Sequence, residues 1–207
     1  MFRKEGIFMH WEQYAMKVLS ICKIGLKFSK DPYAIENYKE LQELSKNMLN
    51  TLHVYPIKDN FYERDIYPTP NLSVRVIIFN DKKQLLMVKE AMDGKWAVPG
   101  GWVDVFNSAS QAAISEVEQE TGLKIKVDRL LAIMQRERYK DYPTLVSEVV
   151  HYFSASVIDG VLTSSHETSD VQWIDLDNLP ELSKKTTKIE IERAIDVALS
   201  NKETYFD

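Results

Sequence analysis

Residues Pro99 to Leu123 read PGGWVDVFNSASQAAISEVEQETGL, and that order leaves the chain little conformational choice. Gly100-Gly101 makes a turn that neither a helix nor a strand interior favours. Ser108 stands three residues before Gln111, a Ser-x-x-Gln capping box that opens a helix. Ala112, Ala113 and Val117 give that helix a packing face, and Gly122 is placed to stop it. A glycine loop, a short helix and an acidic last turn therefore follow one another directly.

The acids carry the chemical interest. At about 100° per residue, Glu116 and Glu120 lie within roughly 40° of each other on the helix surface. Two carboxylates one turn apart repel, and a helix C-terminus is the unfavourable end for negative charge. A hard cation such as Mg²⁺, with Mn²⁺ as a substitute, would relieve both, because it takes carboxylate oxygens and shares itself with phosphates. The alternative is a solvated acidic face. The glycine loop before the helix, where backbone can approach a ligand closely, favours the cation.

This stretch resembles the signature of the Nudix hydrolases: Gly, five residues, Glu, seven residues, then Arg-Glu-apolar-x-Glu-Glu-x-Gly-apolar. The first Gly falls on Gly101 and the last pair on Gly122-Leu123, with the spacing kept. Glu116, Val117 and Glu120 match. Asn107 stands where the first Glu is usual, Ser115 replaces Arg, and Gln119 replaces Glu. In the family that Glu and Arg typically pair, so losing both together leaves no stranded charge. Gln119 lies about 60° from Glu116 and can offer an amide oxygen but no charge, so further cations should bind more weakly. Glu118 points roughly 200° away and cannot replace it. The resemblance implies metal ligation by Glu116, Glu120, the Gly100 carbonyl and Gln119.

The rest of the chain fits an α/β fold, a mixed sheet sandwiched between helices, preceded by a small helical segment; this is also the Nudix architecture. In residues 10 to 52, Ala15, Val18, Leu19, Cys22 and Leu26 form one apolar stripe at helical spacing. Tyr38, Leu41, Leu44, Met48, Leu49 and Leu52 form a second. Asp31-Pro32 reads as an N-cap followed by proline at the first helical position, so the first helix must end by Ser29 or Lys30. Residues 53 to 72 hold Pro56, Pro68 and Pro70 without periodicity and read as a linker. We expect an N-terminal segment with linker over residues 1–66 and the main domain over 67–207. The helical pair resembles the N-terminal segment of the Nudix subgroup acting on X-linked nucleoside diphosphates, which implies a homodimer.

Strand-like runs at Ser73–Phe79 and Gln84–Lys89 flank Asn80-Asp81, a hairpin signal. Ile125 to Arg138 and Val149 to Ile158 read as further strands, with Asp159-Gly160 turning the chain into another hairpin. Val171 to Ile174 is a short strand, and Thr187-x-x-Glu190 caps a final helix facing inward through Ile191, Ala194, Ile195 and Ala198. A loop acid near the box is expected to join the chemistry, the candidates being Glu167, Glu148 and Asp141. Arg136 and Arg138, two apart on a strand face, are candidates for a substrate phosphate. Trp102, Trp96, Phe106 and Tyr139 are candidates for stacking on a base. His151 and His166 have no metal-ligand spacing to each other or to a cysteine.

The chain has one cysteine, which excludes an internal disulfide, and a net charge of −5 with both signs interspersed. That balance does not suit a nucleic-acid partner. No apolar run approaches membrane-spanning length and no signal-peptide core is visible, so a cytoplasmic protein is expected. The Nudix resemblance implies metal-dependent hydrolysis of a nucleoside diphosphate linked to another group, of ADP-ribose or CDP-choline type. Because three box positions are altered, a non-catalytic module that binds a nucleotide sugar is the competing reading.

Overall fold

The computed structural model describes residues 11–51, 69–104, 107–142, 144, 146–200 and 202–207. The described residues fall into two compact units, Met1–Pro70 with Asp141–Ser147, and Asn71–Lys140 with Glu148–Asp207. The expected boundary between residues 66 and 67 lies outside the described residues, as do most of the linker, Leu52, Phe106 and Pro143.

The first unit carries α1 (Trp11–Phe28) and α2 (Pro32–Thr51). Its turn follows the sequence signals: the Ser29 amide closes the last turn onto the Gly25 carbonyl, and the Tyr33 amide donates to the Asp31 carboxylate. Proline at position 32 gives up nothing there, since that amide has no helical partner anyway. Ala15, Met16, Leu19 and Leu49 pack into a small core, and Cys22 is fully buried as a small apolar side chain. Gly25 lies against the Tyr38 ring, so a methyl group there would overlap it. The second stripe is not wholly internal, because Leu41 and Leu44 remain 45% and 58% exposed.

The second unit is built on two sheets. One has the order β1 (Asn71–Ile77), β5 (Glu148–Gly160), β4 (Leu123–Gln135), β7 (Tyr205–Phe206); the other has β3 (Trp96–Ala97), β2 (Leu85–Glu90), β6 (Thr168–Ile174). Pairing is mixed: β1 runs parallel to β5, and β4 antiparallel to it. Helix α3 (Ala109–Thr121) packs Ala112, Ala113 and Val117 against Val74, Val76 and Ile78 on one side. Helix α4 (Lys188–Leu199) packs Ile191, Ala194 and Val197 against Ile77, Met134, Val150 and Tyr152 on the other. The alternation of Val76, Ile77 and Ile78 between these two cores is the period-two pleat of a strand covered on both faces. No helix among the described residues is long and apolar enough to cross a membrane.

Two expectations about hairpins are corrected. The Asn80 turn forms, with the Asn80 carboxamide accepting from the Lys82 and Gln84 amides, but β1 and β2 separate beyond the Phe79–Leu85 bridge into different sheets. Gly160 does turn the chain, at φ +104°, yet β6 leaves β5 and pairs with β2. In both cases the turn is local, while the partner is decided by which face must cover α3 or α4.

Candidate active site

The glycine loop runs along the edge of β1. The Val76 and Val74 amides donate to the Pro99 and Gly101 carbonyls, which turns the intervening Gly100 amide to the opposite side. There it donates to Glu120 Oε2 at 2.9 Å. Gly100 adopts φ +140°, and a Cβ at this position would run into the Val74 carbonyl. At Gly101 a Cβ would meet the Glu116 carboxylate instead. Both box glutamates therefore lie against the Gly-Gly turn, as their spacing predicts.

Helix α3 holds them there firmly. Its capping box forms as expected, with Ser108 Oγ accepting from the Gln111 amide and the Gln111 side chain accepting from the Ser108 amide. Gly122 caps the other end at φ 72°. Thr168, fully buried at the start of β6, donates to the Glu120 carbonyl and ties the last turn to the second sheet. The preceding loop residue, Glu167, accepts from the Ala91 amide through its carbonyl and acts electrostatically on Glu116.

The electrostatics are those of an acid cluster short of cations. Glu120 is 3% exposed. Burial pushes its carboxyl up to about 7, although the Gly100 amide, Arg75 and Lys185 all pull downward. Glu116 is raised for the same reason, with Glu167 and Asp104 adding repulsion and Arg75 and Lys185 opposing it. Lys185 in turn pairs with the buried Glu90 at 2.6 Å. Five carboxylates thus share two cations. Among the described residues no three His, Cys, Asp or Glu side chains gather closely enough to hold a metal ion by themselves. The donor set suits a hard divalent cation that takes two carboxylates and fills its other positions with water and phosphate oxygens.

The remaining candidates separate. Gln119 is exposed on the same last turn, and Asn107 and Ser115 are exposed too. Trp102 is about half exposed and bridges to Ser73 of β1, close to the glycine loop. Trp96 and Tyr139 pack on the α4-side core, and the Tyr139 and Tyr205 hydroxyls share a hydrogen bond. Glu148 takes a different course from Glu167: it accepts from Ser73 Oγ at 2.6 Å and from Arg136 Nη1 at 3.0 Å. The Arg136 guanidinium and the Ser73 hydroxyl hold its carboxyl below the usual range, overcoming burial.

The shared strand face of Arg136 and Arg138 is corrected. Strand β4 ends at Gln135, and Arg136–Arg138 is a 3₁₀ turn. Arg136 is buried between Glu148 and Glu190 and donates to the Lys184 carbonyl, whereas Arg138 is exposed. Asp141 is exposed in the first unit. His151 stacks on Phe153 and His166 lies beside Glu167. Arg75, Lys185 and Asp104 escaped the sequence reading. A signal existed for Arg75, an arginine in the otherwise apolar run Val74–Phe79; Lys185 and Asp104 look like ordinary loop residues.

The chain is similar to known proteins over nearly its whole length. The family profile described as NUDIX domain matches residues 69–195, and one described as a UDP-X-like, N-terminal oligomerisation domain matches residues 9–59. YjhB of Bacillus subtilis (strain 168), provisionally named an ADP-ribose pyrophosphatase, is 30% identical over 95% of this chain and 97% of its own. A solved structure of a UDP-X diphosphatase is similar over 95% of this chain and 98% of its own, with 30% identity and a TM-score of 0.64. An ADP-ribose pyrophosphatase from Streptococcus suis 89-1591 is 31% identical, covering 67% of this chain and 100% of its own, with a TM-score of 0.59.

Proposed function

Because the chain belongs to the Nudix hydrolase family, we propose that it cleaves the diphosphate of a nucleoside diphosphate joined to a second group. The products are a nucleoside monophosphate and the phosphorylated second group. The observation that carries this reading is the Glu116–Glu120 pair held on the Gly100-Gly101 turn, with Arg75 and Lys185 alongside. The names of the relatives make ADP-ribose and UDP-linked groups the first compounds to try. CDP-choline stays in the panel on family resemblance.

Glu116 and Glu120, with the Gly100 carbonyl, would hold the divalent cation the family uses; Mg²⁺ is our expectation and Mn²⁺ the substitute. Such a cation neutralises charge on the phosphate oxygens, the main demand of phosphoryl chemistry. The chain itself does the rest. Glu167, exposed and acting electrostatically on Glu116, would take the proton of an attacking water. Glu148, engaged by Arg136 and Ser73, would serve the fold instead. Trp102 offers an indole face at the loop for a base or sugar.

The helical unit supports a homodimer. Trp11, Ile21, Phe28 and Leu44 are each more than half exposed, and the matching profile describes an oligomerisation domain. Light scattering on the purified chain tests this directly, a monomer at micromolar concentration being the contrary result.

The activity is tested by following product release from ADP-ribose, UDP-glucose and CDP-choline with Mg²⁺, with Mn²⁺ and with chelator. Metal-dependent cleavage of one compound is expected. Thermal stabilisation by one compound without cleavage of any would make the binding module the better reading, with Gln119 marking a lost activity.

A further inference from the structure

The loop between Glu181 and Thr187 is fastened at several points, and its Ser183 and Thr186 are buried. The Ser183 amide donates to the Trp96 carbonyl at 2.7 Å, and its hydroxyl donates to Asp93 Oδ2 at 2.8 Å. Lys95 pairs with Glu181 at 2.6 Å. Two buried arginines then reach the loop backbone, Arg136 donating to the Lys184 carbonyl and Arg75 to the Lys185 carbonyl. The loop ends on Thr187, which caps α4. Such fastening fixes the direction in which Lys185 leaves the backbone.

Lys185 points at the acid cluster. Its ammonium contacts the buried Glu90 and acts electrostatically on both Glu116 and Glu120. The other cation there, Arg75, is 4% exposed and donates through Nη1 and Nη2 to two backbone carbonyls, with Nε buried and unpaired. The Lys185 side chain keeps 34% of its surface exposed. An ammonium has three donors, and Glu90 takes one of them. Of the two cations, Lys185 is the one a ligand can reach.

We propose that Lys185, braced by Glu90 and by the arginine-fastened 181–187 loop, is a binding residue for the diphosphate of the substrate. This rests on the activity proposed above and adds a residue to it. A salt link made solely to neutralise Glu90 would not require the loop backbone to be held by two buried guanidiniums. Preorganisation of that kind is useful when a charge must meet a ligand without being ordered first.

The test pairs kinetics with binding, using ADP as a diphosphate probe titrated in the presence of Mg²⁺. Lys185→Met should raise KM and weaken ADP binding by about 10-fold or more, the worth of a charge-assisted hydrogen bond, with a smaller change in kcat. Lys185→Arg should recover most of both. Since Lys185→Met strands a buried carboxylate, the double variant Glu90→Gln/Lys185→Met separates folding from binding. It should regain melting temperature while KM and the ADP dissociation constant stay raised. Recovery of both constants in the double variant would overturn the proposal, as would unchanged constants in Lys185→Met. A wild-type chain that binds ADP through Lys185 yet cleaves no compound would overturn the hydrolase reading alone. A chain that neither cleaves nor binds would overturn both.

Discussion

Two groups of glutamates in the second unit have nearly the same composition and opposite characters. Glu148 and Glu190 flank the buried Arg136 beneath the sheet, and the guanidinium holds Glu148 below its ordinary range. Glu116 and Glu120 crowd the glycine loop with Asp104 and Glu167 nearby, and burial raises both instead. The first group sets two carboxylates against Arg136, with Arg75 also acting on Glu148 and the Thr187 amide bonded to Glu190. The second sets five carboxylates against Arg75 and Lys185, a larger surplus that a cation from outside would balance. A buried glutamate is therefore informative about function chiefly when its surroundings leave it under-neutralised.

The largest expected effect separates them by activity. Glu120→Gln should lower turnover by at least about 10²-fold, since the proposed cation would lose one of its two carboxylate ligands. It should not lower the melting temperature at pH 8, because it also removes a buried charge. A near-normal rate on the compound cleaved by wild type would count heavily against the mechanism. Arg136→Met should behave the opposite way. It leaves Glu148 and Glu190 buried without their cation and should cost roughly 3–5 kcal/mol of stability in a urea titration. A loss below about 1 kcal/mol would mean that the network is already open to water.

Acidity gives a third contrast. Glu120 has a folded-state value of about 7 against an ordinary 4.5, so the folded chain binds the extra proton between those values. Stability of the metal-free protein should therefore fall as pH rises through that window, by up to roughly 3 kcal/mol, and level off above it. Glu116 adds in the same direction. Glu148 works in reverse: its contribution is present above the ordinary carboxylate range and is lost as pH falls through its depressed value. Thermal melts in chelator from about pH 3 to pH 8 measure both, and Glu120→Gln should flatten the upper window. A divalent cation should stabilise the protein more at pH 8 than at pH 5.5. The smallest effect concerns Gln119→Glu, which should lower the Mg²⁺ concentration for half-maximal rate a few-fold. An unchanged metal dependence would show that position 119 lies outside the cation's reach.

How much of this could be read from residues depended on range. The capping boxes at Ser108 and Thr187, the Gly122 stop and the Asp31-Pro32 junction all form, because each needs a partner within a few positions. Strand extents were close for the same reason. Sheet partners were not readable: Asp159-Gly160 has hairpin chemistry, but β6 leaves for β2 where it can cover the α3-side core. The fate of Arg136 was hidden likewise, since its partners Glu148, Glu190 and Lys184 come from three separate segments. Among acids, spacing alone brought Glu116 and Glu120 to the glycine loop, whereas the pairing of Glu148 with Arg136 depends on where β5 comes to rest.

The two adjoining glycines of the loop have unequal standing in any lineage descended from this chain. A methyl at position 100 would strike backbone, which has nowhere to go. At position 101 it would strike the flexible end of Glu116, which can swing aside at the expense of its place. A descendant released from hydrolysis could drift to alanine at 101 and still fold, while alanine at 100 would be purged in working and retired copies alike. Position 101 is thus where inheritance would record whether the chemistry is still in use.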